Sequence, residues 1–188
     1  ELDLIPVVEF SHFDALKQLV NADWVPQTMQ VDAEHQEGGH VVLRQAAFMK
    51  KDAQVNFFTS NHAVDSFQTD RDKLLGNMGY GSWRWPEELQ NKQLSNYEAR
   101  RGNNIAALLH NLSILQPGES RRMITQLGQG APSAIGAMIE QYRSEAEVDK
   151  AFTGLHSFWD DYLNAFQCET PDLAFNSMVN IHLSLIHI

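Results

Sequence analysis

The chain changes texture once, near Pro132, and this change sets what it can fold into. Up to about Gly130, short apolar runs alternate with polar turns. From Pro132 the apolar residues recur at helical spacing. Strands at this spacing, with no helix of ordinary length among them, predict an antiparallel sandwich with helices behind it. Residues 2–10 predict a strand interrupted at Pro6, which cannot donate to a ladder. Ser11 suggests the cap of a short helix over residues 12–19. Residues 24–31 read as extended and residues 34–39 as a polar turn. Residues 41–49 and 55–59 read as strands joined by the charged turn Lys50-Lys51-Asp52. Residues 105–115 and 121–127 flank Gln116-Pro117-Gly118-Glu119, a tight turn that predicts a hairpin.

The helical part is well signposted. Ser144 and Glu147 have the spacing of a capping box. Val148, Phe152, Leu155, Trp159, Tyr162 and Phe166 then recur at intervals that put them on one face of a helix of about six turns. Core packing is the preferred reading of that stripe. Ile135, Met138, Ile139 and Tyr142 make a shorter amphipathic helix before it. A third start stands at Thr170-Pro171-Asp172: a capping hydroxyl, a proline fit for a first turn, and an acid suited to the positive end of the dipole. Residues 173–182 make barely one short helix, so the chain is expected to begin a second domain without finishing it. It opens at Glu1 without an initiating Met, so an incomplete N-terminus is expected too. Residues 183–188 break the helical pattern and read as an artefactual tail.

Composition narrows the function classes. The net charge of -10 disfavours sequence-independent nucleic-acid binding, which needs clustered cations, and suits a neutral substrate such as a sugar. A single cysteine, Cys168, allows no internal disulfide and points to a reducing, cytoplasmic compartment. No apolar run approaches the ~20 residues of a membrane span, and no signal peptide is visible.

Candidate chemistry is sparse. Asp65, Asp70 and Asp72, with Arg71 among them, could bind a metal or act as acid and base, but the EF-hand offsets are absent. A salt-bridged or capping turn through Lys73-Leu74-Leu75 is the better reading. His35, His40 and His62 lack zinc-ligand spacing. Either Arg100-Arg101 or Arg121-Arg122 could fork onto phosphate, though both pairs lie at edges where a solvated charge is usual. Residues 66–97 carry Gly76, Gly79, Gly81, Tyr80, Trp83 and Trp85 without steady periodicity. They read as a long loop, either functional or an aromatic plug over one end of the sheet.

Several segments together resemble one family. Val8-Glu9-Phe10 with Asp14-Ala15-Leu16 is similar to its "VEF…WDA" passage. The run from Phe67 to Gly76 is similar to "GFDTDRDxFLG", and Leu115-Gln116-Pro117-Gly118-Glu119-Ser120 to "LxPGES". Thr170-Pro171-Asp172 with Asn176, Met178 and Asn180 resembles "TPDxxxNxMxN". The family is glycoside hydrolase family 94, the cellobiose phosphorylase-like enzymes.

The resemblance implies an antiparallel super-β-sandwich of the galactose mutarotase-like kind, a helical linker and an (α/α)6 barrel. The expected division is a sandwich over residues 1–130, a linker over 131–169, the start of a truncated barrel over 170–182 and the tail over 183–188. The implied reaction cleaves a β-linked glucose disaccharide with inorganic phosphate and inverts the anomeric centre, giving α-glucose 1-phosphate. The implied enzyme is a homodimer that uses phosphate as co-substrate and no cofactor or metal, with no nucleic-acid or membrane partner. The family's catalytic aspartate and phosphate-binding arginines follow the "NxMxN" helix, so no catalytic residue is carried over and the chain by itself is expected to be inactive. Sandwich loops can shape the active-site entrance of a neighbouring subunit, which makes Asp70, Arg71, Asp72, Trp83 and Trp85 the candidate entrance loop. Residues 46–52 and 21–26 depart from the cellobiose phosphorylase pattern, so cellobionic acid or another β-linked glucose disaccharide fits at least as well as cellobiose. The rival readings are a non-catalytic carbohydrate-binding sandwich using Trp83 and Trp85, and a dimerisation module.

Overall fold

The computed structural model describes residues 2–10, 24–47, 54–76, 81–165 and 167–182. The helix expected over 12–19, the turn Lys50-Lys51-Asp52, Gly79, Tyr80, Phe166 and the tail lie outside the described residues. The chain divides into two compact units, Glu1–Ser144 and Glu145–Ile188.

The first unit is two antiparallel sheets. One holds β1 (Asp3–Leu4), β2 (Val7–Glu9), β6 (Ser66–Asp70) and β7 (Asn104–Asn111). β1 and β2 are one line broken at Ile5-Pro6, and both pair with β7. Ala107 faces both Val7 and Gln68, so β6 occupies the opposite edge of β7. The second sheet runs β3 (Met29–His35), β4 (Val41–Ala47), β5 (Val55–Ser60) and β8 (Thr125–Gly130), in that order. Gly38 and Gly39, at φ +76° and +78°, supply the left-handed backbone that turns β3 into β4.

Period-two alternation sorts the side chains onto two faces. Val31, Val41, Leu43 and Phe58 meet Phe10, Phe67, Ala106 and Leu108 between the sheets. The outer faces are covered as well. Val42, Val55 and Phe57 pack under Ile135 and Ile139 of α2 (Ile135–Gln141). Ile105, Ala107 and Leu109 pack under Leu74 and Leu94, with Leu89 beside them.

A polar chain runs from the surface into the interior. Gln129 Nε2 donates to Asn56 Oδ1 (3.2 Å), Asn56 Nδ2 to Gln45 Oε1 (2.9 Å), and Gln45 Nε2 to Asn104 Oδ1 (3.1 Å). This amide chain passes from β8 through β5 and β4 into β7 of the other sheet. It ends at Asn104 Nδ2, a buried donor without a partner.

Four expectations change. Residues 25–28 form a 3-10 turn ahead of β3, because Pro26 has no N–H to give a ladder. Glu34 and His35 belong to β3, where they pair with Val42 and Val41. Ser66–Asp70 is a buried strand rather than the start of a loop; its residues face covered surfaces on both sides and so show no alternation. The Pro117-Gly118 turn forms, with Glu119 N–H donating to the Gln116 carbonyl at 2.9 Å, but its flanks are no hairpin. β7 pairs with β1, β2 and β6, whereas β8 pairs with β5 in the other sheet, so the turn lies on a crossover.

In the second unit α3 (Glu145–Asn164) starts at the residue after Ser144 and runs 20 residues. It buries none of them: Phe152 is 57% and Leu155 51% exposed, against the expected core packing. Phe158, Trp159 and Tyr162 form an aromatic cluster with ring centroids 5.3 to 6.2 Å apart. No helix among the described residues is long and apolar enough to cross a membrane.

Candidate functional site

The candidate loop begins where β6 ends. Asp70 is the N-cap of α1 (Arg71–Leu75), and its carboxylate accepts from the N–H groups of Asp72 (2.9 Å) and Lys73 (3.2 Å). Arg71 Nε donates to Glu9 Oε1 at 3.1 Å, and its guanidinium stands 5.9 Å from the Trp83 ring centroid. Asp72 closes the helix through its carbonyl, which accepts from Gly76 N–H at 2.9 Å. Gly76 has φ +80°, and a Cβ there would clash with the Glu87 side chain. Glycine is therefore required for the chain to leave α1 under Glu87. Trp83 is 45% and Trp85 70% exposed beyond that turn.

The structure thus brings Asp70, Arg71, Asp72 and Trp83 together and separates Asp65 from them. Asp65 Oδ2 instead accepts from Asn111 N–H at 2.7 Å. Among the described residues no three His, Cys, Asp or Glu side chains converge as metal ligands. His40 Nδ1 lies 3.2 Å from the His62 carbonyl, and His62 Nε2 lies 3.1 Å from the Arg122 carbonyl. Arg100 is held by Asp32 at 2.6 Å and Glu98 at 2.9 Å, and Arg121 lies 3.6 Å from Glu119. Both guanidinium groups therefore already face carboxylates.

Sequence reasoning missed the groups that hold this loop in place. Gln68 is fully buried. Its Oε1 accepts from the N–H groups of Thr69 and Asp70, each at 2.9 Å. Its Nε2 reaches Glu88 Oε2 and Ser95 Oγ, each at 2.8 Å. A register shift between Gln68 and Asp70 frees those amides from the β7 ladder. Thr69 Oγ1 donates to the Tyr97 carbonyl and accepts from Ala99 N–H, each at 2.7 Å. Val31 N–H donates to the Ala99 carbonyl at 2.8 Å, so residues 96–99 lie along the free edges of β6 and β3 and join the two sheets. Only recognition of β6 as a strand would have revealed this.

A buried histidine marks the other crossover. His110 on β7 is 1% exposed; its Nδ1 lies 2.7 Å from the Ala63 carbonyl and its Nε2 3.3 Å from Ser60 Oγ. Burial pushes its pKa below 6.5, aided by His62 and His40 and opposed by the Ala63 carbonyl and Asp65.

The last motif is a clamp. The capping group of α4 (Leu173–Ser177) is Asp172, which accepts from Ala174 and Phe175 N–H; Thr170 and Pro171 precede the cap, which corrects the expected roles. Asn176 accepts from Thr170 N–H at 2.9 Å and donates to its carbonyl at 2.8 Å. Asn180 does the same for Cys168 at 2.9 and 2.8 Å. The two asparagines therefore hold the backbone of Cys168 and Thr170 by their side-chain amides, each satisfying one N–H and one carbonyl.

Comparison with known proteins places this architecture. Over 124 residues the chain is 31% identical to an N,N'-diacetylchitobiose phosphorylase of Vibrio furnissii and 30% identical to one of Vibrio proteolyticus. Each match covers 66% of this chain and spans only 15% of the Vibrio protein. A cyclic beta-(1,2)-glucan synthase of Rhizobium meliloti is 27% identical over 125 residues, 66% of this chain and 4% of that protein. The family described as glycosyl hydrolase 94, supersandwich domain, matches residues 1–145, the stretch that carries both sheets and α2, and the chain belongs to that family.

Proposed function

We propose that this chain is the sandwich part of an inverting glycoside phosphorylase, which cleaves a β-linked disaccharide with inorganic phosphate to release α-glucose 1-phosphate. The observation that carries the reading is the family match over residues 1–145, reinforced by two relatives named as phosphorylases. In such chemistry one carboxylic acid protonates the leaving oxygen, and phosphate attacks the opposite face of the sugar in place of an activated water. Phosphate supplies its own negative oxygen, so no second carboxylate is needed as base. Arginine forks suit the phosphate. Cellobiose and cellobionic acid are the glucose disaccharides to compare, with N,N'-diacetylchitobiose as a third because the Vibrio relatives carry its name; that sugar would release α-N-acetylglucosamine 1-phosphate instead.

The reacting groups belong, on this reading, to an (α/α)6 barrel that α4 begins, with residues 131–169 as linker. The enzyme is a cytoplasmic homodimer that needs no cofactor, nucleic acid or membrane. The 188-residue chain itself turns over nothing. Arg100 and Arg121 being occupied by carboxylates supports that last point. Asp70, Arg71 and Asp72 build a rigid corner, and Trp83 and Trp85 form an exposed rim at the substrate entrance of a neighbouring subunit.

The test is phosphorolysis by the complete protein that carries this chain, followed by the anomeric configuration of the sugar phosphate. The reading expects an α-phosphate from a β-disaccharide, and no turnover by the 188-residue chain. A retained β-configuration, or turnover by the short chain, would refute it. The exposure of Trp83 and Trp85 favours a carbohydrate-binding module as the second reading. That reading expects sugar affinity without phosphorolysis by either protein.

A further inference from the structure

We propose that the groove where β3 and β6 meet residues 95–100 is a binding site for a neutral saccharide. The groove encloses about 430 Å³, within the size range of small-molecule sites. The exposed aromatic rings at its rim are His35 and Tyr97, with the buried Phe67 beneath them, beside the polar groups of Asn96, Glu98 and Arg100. The His35 and Phe67 rings tilt against each other at 6.0 Å. Aromatic surface for the C–H face of a sugar, beside mixed donors and acceptors for its hydroxyls, is the chemistry that a pyranose presents.

The polar groups are fixed before any ligand arrives. Asn96 is held at φ +53°, in the left-handed region, because its N–H donates to the Phe67 carbonyl at 2.9 Å and its Oδ1 accepts from Phe67 N–H at 2.8 Å. Glu98 Oε1 accepts from Ala33 N–H at 2.9 Å, and its Oε2 accepts from Arg100. Arg100 also reaches Asp32 at 2.6 Å. Such pre-set geometry lowers the ordering cost of binding.

Charge decides against an anion. Arg100, the cation lining the groove, is already paired with the carboxylates of both Asp32 and Glu98. One cation against two anions leaves no surplus positive charge for phosphate. A wider groove beside Asn91 and Lys92 has no aromatic wall and lacks this combination.

The inference does not rest on the phosphorylase reading, since it uses none of the reacting groups which that reading invokes. It is tested by titrating the isotope-labelled chain with cellobiose, with N,N'-diacetylchitobiose and, separately, with inorganic phosphate, following backbone amide shifts. At least one disaccharide should move the amides of Ser95, Asn96, Tyr97 and Glu98, with a dissociation constant on the order of 1 mM, and phosphate should not. Tyr97→Ala should weaken binding about tenfold or more, roughly 1.4 kcal/mol, while Tyr97→Phe retains it. The Tyr97 backbone carbonyl still accepts from Thr69 in both variants. Should Tyr97→Ala fail to fold, Arg100→Gln, at an exposed position, carries the same expectation of loss. Silence of these amides with both sugars, equal movement with phosphate, or undiminished affinity of Tyr97→Ala would overturn the site. Shifts confined to Trp83 and Trp85 would also overturn it and favour the rim. Turnover is not read, so failure here leaves the phosphorylase reading standing, and failed phosphorolysis leaves this site standing.

Discussion

The sandwich unit and the helical unit place their apolar residues in opposite ways. In the first, each sheet is covered on both faces by elements of the same stretch: the other sheet inside, α1, α2 and residues 89–94 outside. In the second, α3 carries a regular apolar stripe and buries none of it. Amphipathic period alone therefore does not tell whether a stripe is core. Helical stability in proteins comes mainly from the packing of that face, so the same pattern has a different energetic weight in the two units.

Substitutions in the two units test this contrast, beginning with the largest expected effect. Phe58→Ala empties a space between the sheets and should destabilise the first unit by about 3–5 kcal/mol in denaturant titration; a loss below about 1 kcal/mol would show the sandwich core is not shared by both sheets. Gln45→Ala cuts the amide chain in its middle and leaves Asn56 Nδ2 and Asn104 Oδ1 without their Gln45 partner, at a cost of about 1–3 kcal/mol. Asp70→Ala removes a helix cap inside the packed unit and should lower stability by about 1 kcal/mol. Its counterpart Asp172→Ala should show as lost helical circular dichroism without a shift of the sandwich melting transition.

A further measurement is pH dependence. His110 stays neutral in the fold below the pH at which the unfolded chain takes up a proton. The unfolded state then binds more protons, so stability should fall as pH drops below about 6.5 and until the folded-state pKa is reached. His110→Asn should flatten that slope in chemical denaturation at several pH values, and an unchanged slope would remove His110 as its source. The smallest effect is expected from Leu155→Ala on the exposed stripe, within about 0.5 kcal/mol for this chain. A larger loss would mean the stripe is covered in solution.

Much of the first unit was legible because its signals are short-range. The break at Pro6, the strands β4 and β5, and the cap formed by Asp70 all depend on residues within a few positions. The β6 strand was hidden for the opposite reason. Ser66, Phe67, Gln68 and Thr69 are buried on both faces, so the alternation that reveals a strand is absent, and Gln68 reads as a loop residue although it anchors the corner. The seam at residues 96–99 was hidden as well, since it works through backbone groups and one threonine hydroxyl.

Most bends and the strands β4 and β5 followed from local signals, because φ and ψ preferences, missing proline donors and capping groups act within a few residues. The sequence by itself also carried enough of the family pattern to place the chain. Which strands share a sheet was decided only in three dimensions. The turn at Pro117-Gly118 is compatible with a hairpin or a crossover, and the choice fell to β5, whose edge accepts β8 while β7 is already paired on both sides. Backbone hydrogen bonds are the same for any partner, so partner choice comes from which faces can be buried together, and that is a property of the whole unit.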